Sequence, residues 1–132
     1  MKARLGILIA AAGLAIPAVP AFAHHSFAAE YDATKPIEIK GAVTKVEWTN
    51  PHARFYIDVK DASGKVTNWN FELASPNVLA RNGWTRHSLK EGDVVTVQGS
   101  RAKDGDNLAN ARTVVLADGK KVFAGSATDE GK

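Results

Sequence analysis

Alternating apolar and polar residues predict a series of β-strands from residue 37 onward. Apolar residues alternate from Ile37 to Val43, and the pattern then changes parity at Val46 and Trp48. A change of phase inside one apolar run predicts a curved strand with a β-bulge near Thr44–Lys45. The same period-two pattern predicts further strands over residues 54–59, 66–73, 94–99 and 109–116, with a short edge at 122–123.

A short helix is predicted between the third and fourth strands. Ser75 is a good N-cap, Pro76 suits the first helical position, and Gly83 follows as a C-terminal stop. Three strands, a helix and two strands predict an all-β fold, a five-stranded Greek-key barrel of the oligonucleotide/oligosaccharide-binding (OB) type. A β-sandwich remains the alternative, because periodicity does not reveal strand order.

The flanking segments complete the predicted organisation. Residues 24–36 are expected to form an extended arm without a regular element, since Pro36 and the polar residues before it disfavour one. The barrel is assigned to residues 37–124. Residues 125–132 are small and polar, and are predicted to be a disordered tail.

The N-terminus has the pattern of a bacterial export signal. Lys2 and Arg4 precede an apolar run, and Ala21-Phe22-Ala23 places small residues at the two positions that a signal peptidase reads. The run is shorter than the ~20 residues of a membrane-spanning helix. We therefore predict a signal peptide over residues 1–23 and a periplasmic or secreted protein. Cleavage after Ala21 fits the same rule.

Removing 23 of the 132 residues leaves a mature chain of 109 residues, which suits one small domain. The loss of two of the 17 basic residues leaves 15 against 14 acidic ones, so the mature chain is nearly neutral. Without a basic run, binding to nucleic acid is not expected. The chain has no cysteine, which excludes disulfides and thiolate ligands, and its one methionine is lost with the signal.

Several motifs resemble those of a family of small exported bacterial proteins that is catalogued as a domain of unknown function. The matching segments are His24-His25-Ser26-Phe27, Trp48-Thr49-Asn50-Pro51-His52, Trp69-Asn70-Phe71-Glu72, Ser75-Pro76, Gly83-Trp84 and Leu89-Lys90-Glu91-Gly92-Asp93. The resemblance implies export and a small β-barrel, and it implies no reaction.

Two adjacent histidines after the cleavage site suggest metal binding. With cleavage after Ala23, the free α-amino group and imidazole Nδ1 of His24 can chelate one metal ion, as in a histidine brace. His52, which follows Asn50-Pro51 between the first two strands, is the natural third ligand. Cu(II) favours such tetragonal nitrogen sites, and zinc is the alternative metal. His25 could assist or merely flank the first histidine.

Other residues are weaker candidates. His87 could be a ligand or could hydrogen-bond locally. Glu72 could orient a histidine, although pairing with Arg54 is the commoner role for such a carboxylate. Trp48 and Asn50 adjoin His52 and could form part of a ligand face, but packing is the favoured role for Trp48 and Trp84. Phe55, Trp69 and Phe71 are assigned to the core.

The sequence thus favours an exported Cu(II)-binding protein that handles metal as a carrier, buffer or delivery partner, with no catalytic role. A metal-delivery or envelope protein is the expected partner. The alternative is a non-metal module on an OB-like barrel that binds a small ligand or another envelope protein, with incidental histidines. Placement of His52 within reach of the His24 arm would favour the metal hypothesis.

Overall fold

The computed structural model describes residues 27–124, apart from the side chain of Phe123. The predicted signal peptide, His24, His25 and the predicted tail lie outside the described residues. The described part of the chain contains two short helices and six strands: α1 (Phe27–Glu30), β1 (Tyr31–Glu47), β2 (Arg54–Lys60), β3 (Val66–Glu72), α2 (Pro76–Arg81), β4 (Val94–Ala102), β5 (Leu108–Val115) and β6 (Lys121–Phe123). Among these residues no helix is long and apolar enough to span a bilayer.

The strands form one sheet that closes on itself. Their order is β3-β2-β1-β4-β5-β6, and an additional parallel pairing joins β3 to β5. The ring β1-β2-β3-β5-β4, with α2 between β3 and β4, is the topology of an OB-type barrel. The predicted barrel is confirmed, and the alternative of two packed sheets is wrong because a single sheet supplies both walls.

The long first strand bends as the sequence predicts. Its register against β2 shifts between Val43 and Lys45, which confirms the bulge. The strand begins at Tyr31, however, so the expectation of no regular element before Ile37 is wrong. Tyr31 pairs with Ala102 and Pro36 with Ser100, so the residues between them bulge out of the ladder. Sheets tolerate proline at such a bulge.

The barrel interior holds one apolar core. Phe55 and Phe71 are fully buried and stack with ring centroids 5.3 Å apart. Trp84 is buried with them, whereas Trp48 and Trp69 are partly buried against the core. These positions confirm the packing roles expected for the aromatic residues.

Helix α2 closes one end of the barrel. The Val78 amide donates to Ser75 Oγ at 3.4 Å, and Gly83 follows the C-cap with a φ of +87°. Leu79 of this helix is fully buried in the core. The predicted N-cap and stop are both confirmed.

Two glycines permit neighbouring strands to approach at close range. A Cβ atom on Gly99 would lie 2.0 Å from the carbonyl oxygen of Asn110 in β5, and one on Gly41 would lie 2.4 Å from that of Asp58 in β2. Real Cβ atoms do not approach backbone so closely, so a side chain at either position would push the strands apart. Closure of the barrel therefore depends on these two glycines.

We expect Gly99→Ala to lower the free energy of unfolding by about 3 kcal/mol, the upper end of typical overpacking costs. Gly64→Ala is the control. At Gly64 the new methyl group has no neighbouring atom nearer than 3.7 Å. The variant should therefore lose only the ~1–2 kcal/mol that an alanine costs at a φ of +86°. Urea unfolding followed by tryptophan fluorescence measures both variants. Equal losses would contradict the close approach of β4 to β5 at Gly99.

Candidate functional site

His52 lies between β1 and β2, against the end of β3. The backbone of the next residue, Ala53, is hydrogen-bonded on both sides: its amide donates to Ala74 O at 3.1 Å, and its carbonyl accepts from the Leu73 amide at 2.8 Å. Because Ala53 is fully buried, this short ladder fixes the backbone beside His52. The His52 side chain is 13% exposed and reaches the surface at this point.

One hydrogen bond defines the tautomer of His52. Its Nδ1 lies 3.0 Å from the carbonyl oxygen of Leu73. A carbonyl oxygen can only accept, so Nδ1 must carry the proton. In the neutral imidazole the lone pair is then on Nε2.

A buried carboxylate lies beside this imidazole. Glu72 Oε2 accepts from Arg54 Nη2 at 2.5 Å and from the Tyr31 hydroxyl at 3.0 Å. Glu72 Oε1 is 4.0 Å from His52 Nδ1, beyond hydrogen-bond distance but close enough for an electrostatic contact. Glu72 therefore pairs with Arg54, as the sequence analysis favoured, and it also lies next to His52.

Tyr31 is held as a hydrogen-bond donor. Burial raises the pKa of its phenol well above the ordinary value of 10.0, and the negative charges of Glu72 and Glu30 raise this pKa further. The hydroxyl therefore stays protonated throughout the neutral range and continues to donate to Glu72. This hydrogen bond links the start of β1 to the end of β3.

The first described residues pack beside the same cluster. The ring of Phe27 lies 5.5 Å from that of Tyr31, centroid to centroid. Lys103 binds helix α1, which leads from Phe27 to Tyr31. The Lys103 amide donates to Glu30 O at 3.0 Å, and its ammonium group donates to Ala28 O at 2.5 Å. The chain therefore enters the described structure next to the cluster of Tyr31, His52, Arg54 and Glu72.

The remaining predicted site residues lie in different surroundings. Asn50 is exposed in the loop before His52, and Trp48 packs partly against the core. His87 is exposed, its amide donates to Thr85 Oγ1 at 3.1 Å, and its side chain lines a pocket with Lys90, Asp93 and Asp118. Neither His52 nor Glu72 lines that pocket. His24 and His25 lie outside the described residues.

Within residues 27–124, no three histidine, aspartate or glutamate side chains converge as a metal-binding group. A shallow groove of about 570 Å³ lies elsewhere, over β1, β4 and β5. Pro36, Gln98 and Arg112 are among the residues that line it.

The family of unknown function DUF6152 matches residues 11–111. The chain belongs to this family. The match spans most of the chain, including the His52 loop and the Glu72 cluster, and it confirms the resemblance to a domain of unknown function. Membership of this family assigns no activity to the chain, because the family's function is unknown.

No curated protein matches this DUF6152 chain. Among solved structures it is similar to two crystal structures of the mitochondrial single-stranded DNA-binding protein Rim1 from S. cerevisiae, the second of which is selenomethionine-labelled. Their sequence identities are 10% and 14%, and their TM-scores 0.48 and 0.46. Each alignment covers 63% of this chain and 93% of the yeast chain.

Sequence reasoning missed two members of this region. The sequence analysis places Tyr31 in an arm without a regular element, although an aromatic residue in a polar segment indicates packing against another part of the chain. Asn110 is buried at the position that pairs with Glu72 in the parallel β3–β5 ladder. Its Nδ2 has no hydrogen-bond partner among the residues that the structure describes. A polar residue between Ala109 and Ala111 was the available signal.

The Arg54–Glu72 pair is expected to matter more for stability than the exposed Lys45–Glu47 pair. Arg54→Met leaves the buried Glu72 carboxylate without its counter-ion, and we expect a loss of about 3 kcal/mol of unfolding free energy. Lys45→Met is the matched control in a solvated pair, and its effect should be small. Urea unfolding at pH 7 compares the two. Similar losses of unfolding free energy in the two variants would show that the Glu72 carboxylate is not desolvated.

Proposed function

We propose that this protein is exported and binds Cu(II) through its mature N-terminus and His52. The α-amino group and Nδ1 of His24 and the Nε2 of His52 would supply three nitrogen ligands, with His25 assisting. The observation that carries the proposal is the hydrogen bond from His52 Nδ1 to the Leu73 carbonyl.

That hydrogen bond has the form expected of a metal-ligating histidine. Such histidines usually donate their second ring N–H to a carbonyl or carboxylate, which fixes the tautomer and the ring orientation. Here the acceptor is a backbone carbonyl, and the Glu72 carboxylate lies 4.0 Å from the same nitrogen.

The path of the chain supports the pairing of His24 with His52. Phe27 contacts Tyr31, whose hydroxyl is bonded to Glu72, the neighbour of His52. His24 precedes Phe27 by three residues, which span at most about 10 Å of extended chain. We propose that these three residues carry the amino group and imidazole of His24 to the His52 side chain.

The chemistry of this ligand set favours Cu(II). An α-amino group has an ordinary pKa of ~7.7–8.0, so a metal ion can displace its proton near neutral pH. Three nitrogens match the tetragonal preference of Cu(II), and Cu(II) forms the strongest complexes among the divalent metals of this row. Zinc is the competing metal. Cu(I) is disfavoured because the mature chain offers no thiolate or thioether.

We propose metal handling in the periplasm or outside the cell as the role of the site. The protein would act as a carrier, buffer or delivery partner for a second envelope protein. No catalytic role is proposed.

The test is to measure the intact mass of the exported protein and then titrate the same sample with Cu(II) against a competing chelator. We expect a mass that begins at His24 and one tight equivalent of Cu(II). His24→Ala and His52→Ala should lose that binding because each removes a ligand. His87→Ala is the control and should retain it.

A second control targets the amino group itself. Three extra alanines before His24 leave both imidazoles in place but move the free amine away from them, and we expect tight binding to be lost. Fewer alanines would place a histidine third in the chain, where it forms a different tight Cu(II) chelate with the amine. Tight binding by this extended chain would contradict the brace geometry. Absence of tight binding by the correctly processed protein would remove the metal proposal in favour of a non-metal module, for which the groove over β1, β4 and β5 is the first surface to probe.

A further inference from the structure

We infer that the groove over β1, β4 and β5 binds a short zwitterionic peptide, whose ammonium group contacts Glu38 and whose carboxylate contacts Arg112. The groove has a volume of about 570 Å³, and small-molecule sites usually enclose about 300–1,000 Å³. Glu38 and Arg112 both lie in the part of the chain that the structure describes, so the inference is independent of the proposed copper site.

Opposite charges line the two sides of this groove without being paired. Glu38 on β1 and Arg112 on β5 are the charged residues among its described lining, and both are exposed. Within residues 27–124 neither belongs to an ion pair, and the Arg112 side chain has no hydrogen bond. Glu38 Oε2 accepts from Gln98 Nε2 at 2.7 Å, and an ionised carboxylate can accept further bonds. A ligand with one cationic and one anionic end would complement both groups.

Arg112 is placed at the groove by a β-bulge in β5. The register of β4 against β5 shifts between Gln98 and Gly99, which leaves Arg112 without a partner in β4. Its carbonyl oxygen accepts from the Ala124 amide at 2.8 Å, and this bond fixes the backbone of the bulged residue. Bulges re-aim side chains and are frequent beside functional sites. The guanidinium group therefore extends from a fixed point on one side of the groove.

The wall on the β1 side is a second bulge. Residues 32–35 leave the β1–β4 ladder, and Asp32 Oδ1 accepts from the Thr34 amide at 2.9 Å and from its hydroxyl at 2.6 Å. These local bonds close the turn without help from a ligand. Ala33 in the turn and Pro36 after it give the groove a small apolar surface. The wall is thus preformed and suits a peptide with small side chains.

The spacing of the strands sets the length of the ligand. Because β4 lies between β1 and β5, Glu38 and Arg112 stand on strands that are two spacings, about 10 Å, apart. An extended tripeptide spans about 10 Å as well. Ser100 and Thr113 also line the groove, and each hydroxyl can donate to a peptide carbonyl or accept from a peptide amide. The guanidinium group suits the terminal carboxylate because it can donate two parallel hydrogen bonds.

Three peptides that differ only in their terminal charges test the inference. Trialanine carries both charges, N-acetyl-trialanine only the carboxylate, and trialanine amide only the ammonium group. Each is titrated into the ¹⁵N-labelled processed protein with a metal chelator present, and the amide chemical shifts of Gln98, Ser100 and Thr113 report binding. We expect trialanine to bind about 5-fold more tightly than either blocked peptide, since charge contacts near the surface contribute modestly.

Two variants test the charge contacts separately. Arg112→Gln should weaken the binding of trialanine about 5-fold and leave that of trialanine amide unchanged, because this peptide has no carboxylate. Glu38→Gln should weaken the binding of trialanine to a similar extent and leave that of N-acetyl-trialanine unchanged. Arg81→Gln is the matched control, because Arg81 is an exposed arginine of α2 outside the groove. It should bind all three peptides as the wild-type protein does.

Three results would overturn the inference. The first is the absence of shifts at Gln98, Ser100 and Thr113 when trialanine is added. The second is equal affinity of the wild-type protein for the three peptides, and the third is an equal loss of trialanine binding in Arg112→Gln and Arg81→Gln. None of these results bears on Cu(II) binding, which is measured separately.

Discussion

The parallel pairing of β3 with β5 is the constraint on which the rest of the molecule depends. It turns an open six-stranded sheet into a closed barrel and creates a single interior for the core. In the same barrel, β4 approaches β5 so closely that only glycine fits at position 99. It also brings Glu72 and Asn110 side by side at one end of the barrel wall, where both are buried.

The Glu72 carboxylate buried on this wall needs a counter-charge and hydrogen-bond donors. Arg54 supplies the charge, and Tyr31 at the start of β1 supplies a further donor. The start of β1 therefore contributes to the stability of the barrel wall. The region of His52 is thus built by two segments that are distant in sequence. A metal site that combines the N-terminus with a loop histidine is consistent with such a construction.

Local rules predicted much of the fold. The parity change after Val43 located the bulge, and the Ser75-Pro76 pair with Gly83 located the helix, because each depends on residues within a few positions. Alternation located the strands along the chain, and the helix between the third and fourth strands pointed to the barrel, although alternation does not reveal which strands pair. The start of β1 was missed because Pro36 is a poor strand residue in isolation, and only the pairing of Tyr31 with Ala102 explains the strand before it.

The site was less predictable for the same physical reason. His52 and Glu72 could be named from their residue types, but their proximity depends on the register of β2 and β3. The role of Tyr31 depends on a hydrogen bond across 41 positions of the chain, which no periodicity encodes. Asn110 likewise acquires its burial only from the closure of the barrel. Long-range pairing therefore decides which of the candidate residues share a site.

The most direct measurement of the central claim is the electron paramagnetic resonance spectrum of the processed protein with one equivalent of Cu(II), recorded with natural-abundance and ¹⁵N-labelled histidine. We expect nitrogen couplings from the amino group and two imidazoles, and the loss of one imidazole coupling in His52→Ala. A spectrum that His52→Ala leaves unchanged would contradict the assignment of His52 as a ligand.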